Sequence, residues 1–333
     1  MQTLDAVRVD EYDADDAASV EASRQVLNAA HAVDAPFVPT LTPFRRTMNL
    51  RHGWDGSPER HLLLRVDDQP VAVVDIELGE WDNRDLAWFD LLVHPAHRSR
   101  GYGSRLLTEA LDLAKQQRRT KFGGAGWETP ATEPFAARHG FHRAAQEICR
   151  RQSPREMPPG FVETVCAEAA PYAADYELVR LEGPVPDEML PMLAELTAAI
   201  NDAPIDDLDI EDEVFTADRI RDYDHAQVSS GHRLRRIIAR HRPTGEPAGH
   251  TAVVVDTERP ELADQHDTSV VRAHRGHRLG LLLKAEMLRW LAEAEPQVTS
   301  IDTWNAESNR QMIAVNERLG YRALGRVVAF QRR

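Results

Sequence analysis

The chain has 333 residues, 42% apolar residues and a formal net charge of −14 at pH 7. This length favours two domains, and the acidic charge argues against a nucleic-acid partner, which would require basic residues to neutralise phosphates. No apolar run approaches the roughly 18 residues of a membrane-spanning helix, and the acidic start MQTLDAVRVDEYDADDAASVE has no apolar signal core. We therefore expect a cytoplasmic protein without a membrane partner.

Cysteine and histidine usage bounds the chemistry further. Only two cysteines occur, Cys149 and Cys166. They could form a disulfide, but a reduced pair is more typical of a cytoplasmic protein. No group of cysteines and histidines has the spacing of metal ligands, so we expect no metal.

The first half of the chain presents its elements in a recognisable order. A helix ends at 28–37 (NAAHAVDAPF), a strand–turn–strand pattern follows at 61–78 (HLLLRVDDQPVAVVDIEL), and an apolar run follows at 86–95 (LAWFDLLVHP). A glycine-containing loop and an amphipathic helix follow at 93–114, and FAARHGF closes the series at 135–141.

The second half repeats this order. Its counterparts are LTAAINDAPI, RRIIARHRPTGEPAGHTAVVV, DTSVVRAH, a basic loop with a helix, and VNERLGY, at 196–205, 235–255, 267–274, 271–292 and 315–321. Shared order over most of both halves indicates one structural unit used twice. A proline-rich stretch, RRQSPREMPPG, separates the halves, so we predict two α/β domains, 1–155 and 156–333.

The loop at 98–104, RSRGYGS, precedes a predicted helix. The first turn of a helix leaves backbone N–H groups unpaired, and glycines allow a ligand to approach the backbone closely. Such a loop can bind a pyrophosphate, with Arg98 and Arg100 adding positive charge at its rim. The alternative is an ordinary turn that needs glycine only for its geometry.

The hairpin, the strand ending in LLVHP, the loop Arg-x-x-Gly-x-Gly and the later HGF together resemble the GNAT N-acetyltransferase family. The resemblance covers nearly the whole chain as two tandem GNAT domains, a layout shared with mycothiol synthase-like enzymes. It implies a twisted, mixed, mostly antiparallel sheet flanked by helices in each domain. It also implies transfer of an acetyl group from acetyl-CoA, or of another acyl group from its CoA ester, to a primary amine.

In this family the loop amides hold the CoA pyrophosphate, and the preceding strand pairs with pantetheine. The matching residues of the first domain are Leu92, Val93, Arg98, Ser99, Arg100, Gly101, Tyr102, Gly103 and Ser104. Those of the second are Val270, Val271, Arg275, Gly276, His277, Arg278, Leu279, Gly280 and Leu281. The second loop departs from the pattern, because Arg278 replaces the middle glycine. A positive φ there would cost energy, whereas a helical backbone would make the arginine harmless.

A carboxylate on a central strand often assists the amine in GNAT enzymes. Asp75 and Glu77 alternate with apolar residues and therefore share one strand face, where paired charges could raise one pKa. A solvent-facing strand edge is the alternative. Asp90 is a further candidate, either as a buried carboxylate or as the polar face of its strand. The second domain offers Asp267 and His250, of which the histidine is more often structural.

Many family members carry a tyrosine that protonates the leaving thiolate, but its positions here are Ala136 and Asn316. Asn316 can still offer a hydrogen bond. Asn305 and Asn309 match the region of the usual cofactor-contacting asparagine, although Asn309 fits a helix start equally well. The second domain keeps more polar groups, so we expect catalysis there and a CoA-binding scaffold in the first domain.

The acceptor side is suggested by the acidic stretch at 201–224. By resemblance it walls the acceptor cleft, and Asp207, Asp209 and Glu211 alternate so that they could bind a small cationic amine. A solvated charged face is the alternative. Two other functions remain open: a non-catalytic acyl-CoA-binding module and a protein N-acetyltransferase. The sequence leaves the oligomeric state open.

Overall fold

The structure, a computed structural model, describes residues 6–57 and 59–332. The chain divides into two compact units. Unit 1 comprises Met1–Glu147, Ile205–Asp212 and Gly325–Arg333, and unit 2 comprises Ile148–Pro204 and Glu213–Leu324. The division predicted from the sequence is continuous, whereas unit 1 also includes an acidic segment and the last strand of the chain.

Unit 1 contains six strands and four helices along the first half of the chain, the last strand of which ends in unit 2. They are β1 (Val7–Tyr12), α1 (Ala17–Asp34), α2 (Pro43–His52), β2 (Arg60–Val66), β3 (Gln69–Glu77), β4 (Leu86–Val93), α3 (Tyr102–Gln116), β5 (Lys121–Trp127), α4 (Thr132–Arg138) and β6 (His142–Gln152).

Unit 2 repeats this succession. Its elements are α5 (Phe161–Ala169), β7 (Tyr176–Glu182), α6 (Leu190–Ala198), α7 (Ala217–Ser229), β8 (His232–His241), β9 (Pro247–Asp256), β10 (Leu262–Val270), α8 (Leu279–Ala294), β11 (Ser300–Ala306) and α9 (Arg310–Arg318). The last strand of the chain, β12 (Arg322–Arg332), begins in unit 2, and its residues from Gly325 onward belong to unit 1.

Both sheets are mixed and mostly antiparallel, which confirms the predicted fold class. In unit 1, β1, β2, β3 and β4 pair antiparallel in that order, β4 pairs parallel with β5, and β5 pairs antiparallel with β12. In unit 2, β7, β8, β9 and β10 pair antiparallel, and β10 pairs parallel with β11.

The apolar alternation of the strands explains the layers of unit 1. Successive side chains of a strand point to opposite faces of the sheet. Leu62, Leu64, Val74 and Ile76 belong to the cluster that includes Leu106 and Ala110 of α3. Leu63 and Val73, one residue along, belong to the cluster that includes Val26 and Leu27 of α1. The helices therefore cover the two faces of one sheet.

The central parallel strands of each unit diverge, and this divergence positions the site. β4 pairs with β5 only over Leu86–Phe89, although both strands continue beyond this point. β10 likewise pairs with β11 only over Leu262–Asp264, and β10 runs on to Val270. In each unit a gap therefore opens between the two strands, immediately before the glycine-containing loop.

Two further expectations concern the chain as a whole. Cys149 and Cys166 are both free and buried, so the prediction of a reduced pair is confirmed. Burial, as the largest effect, raises the pKa of each thiol to about 12, so neither is a reactive thiolate at neutral pH. Within residues 6–57 and 59–332, no helix has the length and apolar character needed to cross a membrane.

Candidate active site

The loop of unit 1 forms a cradle of backbone amides. Ser99 and Gly101 have positive φ values of 61° and 85°, and α3 begins immediately afterwards without a side-chain cap. The first helical hydrogen bond runs from the Arg105 amide to the Gly101 carbonyl, at 3.0 Å. The three preceding amides, 102–104, therefore have no acceptor within the helix. Together with the helix dipole, they suit an anion such as a pyrophosphate.

The two glycines of this loop serve different purposes. A Cβ atom at Gly101 would meet nothing within 4 Å, so its requirement for glycine is the positive φ, and open space lies beside it. A Cβ atom at Gly103 would lie 3.2 Å from Val93 and 3.3 Å from Phe135. Gly103 therefore allows the start of α3 to pack against the end of β4. The open side of the cradle fits the close approach of a ligand phosphate.

Arg98 does not face that open side. Its guanidinium donates two hydrogen bonds to the Asp34 carboxylate, at 2.8 and 2.6 Å, and its Nε donates to the Val93 carbonyl at 3.1 Å. Arg98 thus fastens the end of β4 to the end of α1, and Asp34 neutralises its charge. The positive charge predicted at the rim falls to Arg100, which is exposed and has no side-chain partner among the described residues.

The loop of unit 2 repeats this architecture 177 residues later. Gly276 and Arg278 have positive φ values of 88° and 52°, at the positions of Ser99 and Gly101. Arg275, the counterpart of Arg98, donates from Nε to the Val270 carbonyl at 3.0 Å. Its NH2 group donates to Asp202 at 2.6 Å.

This agreement means that the residues shared by the two sequence repeats make the same contacts. α8, like α3, begins without a side-chain cap, and the Leu282 amide donates to the Arg278 carbonyl at 3.0 Å. The three amides before Leu282 are therefore available in the same way as those of α3.

Arg278 resolves an alternative that the sequence left open. Its backbone is left-handed, with φ 52° and ψ 22°, so the arginine does carry a conformational cost, of about 1 kcal/mol or more. Its guanidinium lies 3.9 Å from the centre of the Tyr172 ring and donates to the Glu168 carbonyl at 3.3 Å. These contacts offset part of the strain and direct the charge towards the end of α5.

The predicted common face of Asp75 and Glu77 is confirmed, but the role assigned to Asp75 is wrong. On that face Asp75 lies opposite Asp90, and Glu77 lies opposite Trp88. Arg46 donates to both oxygens of Asp75, at 2.7 and 2.8 Å.

The His61 Nδ1 atom is 2.8 Å from the Asp75 carboxylate, which is therefore enclosed by two partners. Burial alone would raise the pKa of Asp75, but the charge and hydrogen bonds of Arg46, with the bond to His61, hold it well below its usual range. A carboxylate this acidic is a poor proton acceptor, so Asp75 is a structural ion and not the general base.

Asp90 is the carboxylate whose environment suits acid–base chemistry. Its side chain is exposed to solvent, but it lies among many protein atoms at the wide part of the sheet. These surroundings, and then the charge of Asp75, raise the pKa of Asp90 to about 7. Paired carboxylates do therefore raise a pKa here, although at Asp90 and not within the pair predicted from the sequence.

Glu59 completes this group and was missed by the sequence analysis. Burial, and then the charges of the nearby carboxylates, raise its pKa to about 8. Glu59 lies just before β2, where no periodic pattern marks it. Ligand atoms of Glu59, His61 and Asp75 lie within 4.8 Å of one another, but Asp75 already neutralises Arg46, whose charge opposes a further cation. This geometry does not favour a metal over a proton.

Asp267 is the counterpart of Asp90 in unit 2, 177 residues later. It lies where a bulge interrupts the pairing of β10 with β9, and burial raises its pKa. The neighbouring His266 is hydrogen-bonded through Nδ1 to the Tyr223 hydroxyl. His250 is only 2% exposed, and burial lowers its pKa to about 3, so its ring is neutral as in the structural interpretation.

The three asparagines of unit 2 are placed differently from one another. Asn309 caps α9 by accepting from the Met312 amide at 3.1 Å, which confirms the helix-start alternative. Asn316 is fully buried, and its amide accepts from Lys284 and donates to Asn305, at 2.6 Å in each case. The catalytic role expected of Asn316 is therefore wrong, because its amide groups are occupied inside the core.

The acidic stretch lies in unit 1 and not beside the second domain's strands. Asp209 is 3.3 Å from the Lys121 ammonium, and Glu211 accepts from the Asn83 amide at 3.1 Å. Asp207 and Asp209 line an open cavity of about 470 Å³, together with Lys121 and the basic side chains Arg143 and Arg332. An acceptor site at these three acidic residues remains a prediction.

Comparisons with known proteins agree with this geometry. Residues 29–141 match the model of the Acetyltransferase (GNAT) family. A mycothiol acetyltransferase of Stackebrandtia nassauensis is 31% identical over 140 residues, which are 41% of this chain and 44% of that protein. One of Sanguibacter keddieii is 28% identical over 162 residues, which are 49% and 48% of the two chains. The matches thus span about half the length of these curated relatives.

Solved structures show similarity along the whole chain. A tandem GNAT protein from the clavulanic acid biosynthesis pathway, solved without AcCoA, has a TM-score of 0.81 and 28% identity, and the match covers 98% of each chain. A GCN5-related N-acetyltransferase from Sphaerobacter thermophilus has a TM-score of 0.71 at 15% identity, which shows the shared fold. With its repeated strand–loop–helix unit, the chain belongs to the GNAT acetyltransferase family as a tandem GNAT protein.

Proposed function

We propose that this protein is an acyl-CoA-dependent N-acetyltransferase and that its reaction takes place in unit 1. The observation that carries the proposal is the arrangement along β4. Asp90, with a pKa near neutrality, and the amide cradle at the start of α3 lie at the same end of the strand, beside the gap to β5. The match to the family model, over residues 29–141, also falls within unit 1.

The cradle would hold the co-substrate. The free amides at 102–104 and the exposed Arg100 suit the pyrophosphate, and Gly101 leaves the space for it. Leu92 and Val93 lie beyond the last pairing of β4 with β5, so the β5-facing edge of β4 is available to the amides of pantetheine. Bound acyl-CoA would supply the acyl thioester at the inner end of the gap.

Asp90 would act on the acceptor. An amine arrives as an ammonium ion and must lose a proton before its lone pair can attack the thioester carbonyl. A carboxylate with a pKa of about 7 can accept that proton near neutral pH. The C–S bond then breaks, and the CoA sulfur leaves as a thiolate. Ala136 replaces the family's tyrosine, so we propose that the thiolate leaves without a proton from this position.

The acceptor is proposed to be a small cationic amine. The carboxylates of Glu59, Asp75, Glu77 and Asp90 exceed the nearby positive charge of Arg46, and their mutual repulsion is visible in the raised pKa of Glu59. An ammonium group beside Asp90 would relieve this repulsion. The relatives named mycothiol acetyltransferase also support a small-molecule acceptor.

Unit 2 is proposed to bind acyl-CoA without turning it over. Its loop keeps the backbone shape and the free amides of unit 1, which supports binding. Arg278 is strained, Asn316 is enclosed, and Asp267 lies in an irregular strand, so the support for catalysis in unit 2 is weaker. This assignment reverses the expectation from the sequence, which rested on Asn309 and Asn316.

The experiment uses the two equivalent aspartates as a matched pair. Thiol release from acetyl-CoA is first measured with a panel of amines to find an accepted substrate. Asp90→Asn should then lower kcat/KM by about 10² to 10⁴, the usual contribution of a general base. Asp267→Asn, the same change in unit 2, should retain most of the activity. The reverse pattern would place the reaction in unit 2 and refute the proposal.

A further inference from the structure

Unit 2 contains a buried lysine that the proposed chemistry does not use. Lys284 on α8 is only 2% exposed, and burial lowers its pKa to about 7. Its Nζ donates to the Asn316 side chain and lies 4.7 Å from the centre of the Tyr321 ring. None of the described carboxylates is paired with it. A lysine is rarely buried without such a partner, because desolvation of its charge is costly.

The lysine fixes the orientation of two amide side chains. An ammonium group can only donate hydrogen bonds, so Asn316 must present Oδ1 to Lys284. Its Nδ2 then points the other way and donates to Oδ1 of Asn305, at 2.6 Å. Asn305 is left with its own Nδ2 as the remaining group. The polarity of the series Lys284, Asn316, Asn305 is therefore set at the buried end.

The open end of this series lies at the gap between the diverging strands. Asn305 is on β11, three residues beyond Asp302, where the pairing with β10 ends. It shares the strand face of Ile301, which packs in the cluster that includes α8. The Asn305 Nδ2 group has no hydrogen-bond partner within the described part of the chain, and its side chain is partly exposed.

Unit 1 has no such series at the equivalent positions. Leu107 is the sixth residue of α3, as Lys284 is the sixth residue of α8. Ala136 accepts a backbone hydrogen bond from the Phe141 amide, as Asn316 does from the Tyr321 amide, at 3.0 Å in both cases. Two apolar residues thus replace the lysine and the asparagine, so the series is a feature of unit 2 alone.

We infer that Lys284 is a positioning residue that, through Asn316, holds the Asn305 Nδ2 group ready to donate a hydrogen bond to a carbonyl oxygen of the amide-bearing arm of acyl-CoA in unit 2. The inference rests on the proposed acyl-CoA site of unit 2. Without the lysine, both amides can turn over, and Asn305 can present an oxygen that repels the ligand carbonyl. The lysine therefore acts on ligand affinity through Asn305 and has no direct contact with the ligand.

The test is a double-mutant cycle on acetyl-CoA binding by the full chain. A Gly101→Val background silences the cradle of unit 1, because valine strains the positive φ and fills the open space. Calorimetry then compares Lys284→Met, Asn305→Ala and their combination. Each single change should raise the Kd of unit 2 about 3- to 10-fold, as expected for one hydrogen bond. The combination should raise it no more than Asn305→Ala alone.

Several outcomes would overturn the inference. Lys284→Met could leave the Kd unchanged, or it could weaken binding equally in the presence and absence of Asn305, which would indicate a general structural effect. Methionine keeps the volume without the charge, so the variant should fold; should it not, Lys284→Gln replaces it in the same cycle. If Gly101→Val binds no acetyl-CoA at all, the proposed site of unit 2 is refuted, and the inference with it.

Discussion

The ion pair between Arg46 and Asp75 offers a quantitative test of the structural role given to Asp75. Arg46 is 3% exposed and donates to both oxygens of Asp75. It also donates to the Tyr12 hydroxyl at 2.6 Å and to the Ser23 hydroxyl at 3.1 Å. Arg46→Met would remove all four hydrogen bonds and leave the Asp75 carboxylate with His61 as its remaining partner.

The expected loss of stability is large because one buried charge would remain uncompensated. Removing one member of a buried ion pair typically costs about 3–5 kcal/mol. For a unit of this size, each kcal/mol lowers the Tm by about 2–4 °C, so the transition of unit 1 should fall by roughly 6–20 °C. Activity per folded molecule should change much less, because Asp75 is not proposed to touch the reacting groups.

The pH dependence of stability should also reverse its sign. In the native protein the pKa of Asp75 is depressed, so its stabilising effect is present above the unfolded pKa of 3.8 and is lost as the pH falls. In Arg46→Met, burial instead raises this pKa above 3.8. The folded state then binds the extra proton, and the unfolding free energy should decrease as the pH rises above about 4.

Urea denaturation between pH 4 and 8, followed by circular dichroism, measures both effects. The control is Arg46→Met combined with Asp75→Asn, which removes the uncompensated charge and should recover part of the lost free energy. A loss below about 1 kcal/mol for Arg46→Met, with unchanged pH dependence, would refute the buried-pair argument. Loss of turnover in a stably folded Arg46→Met protein would return Asp75 to a catalytic role.

Three further predictions concern the site and its surroundings. The kcat/KM profile should show an acidic limb near pH 7, because the Asp90 carboxyl accepts no proton while it is protonated, and Asp90→Asn should abolish that limb. Gly103→Ala should raise the KM for acetyl-CoA and lower the Tm by crowding the start of α3, whereas Gly280→Ala, which meets nothing within 4 Å, should leave the Tm unchanged or higher. Lys121→Met should change the free energy of unfolding by less than about 1 kcal/mol, because its contact with Asp209 is partly exposed, and urea denaturation would reveal a larger effect.

The features predicted correctly from the sequence are those written in local patterns. The repeated strand–loop–helix unit depends on alternating apolar residues and on glycines within about 30 residues of one another. Asp34 and Asp202 were visible as matching letters of the repeat, and both bind the arginine of their own loop. The alternation of Asp75 and Glu77 likewise gave their common face, because side-chain direction on a strand follows directly from spacing.

The features that escaped prediction depend on partners that are distant in the chain. Arg46 on α2 decides the ionisation of Asp75, and Lys284 on α8 occupies Asn316. Nothing in the spacing of either pair indicates the contact. The last strand of the chain completes the sheet of unit 1, with Val328 opposite Gly126, although more than 170 residues separate it from the rest of that sheet.

The most direct test of the central claim is acetyl transfer by Gly101→Val, measured as transfer of the labelled acetyl group from acetyl-CoA to an accepted amine. The proposal that unit 1 holds the reacting acyl-CoA predicts that this variant loses transfer while the chain still binds acetyl-CoA through unit 2. Transfer at the rate of the native protein would contradict the claim, because valine at this position closes the space in the cradle of unit 1.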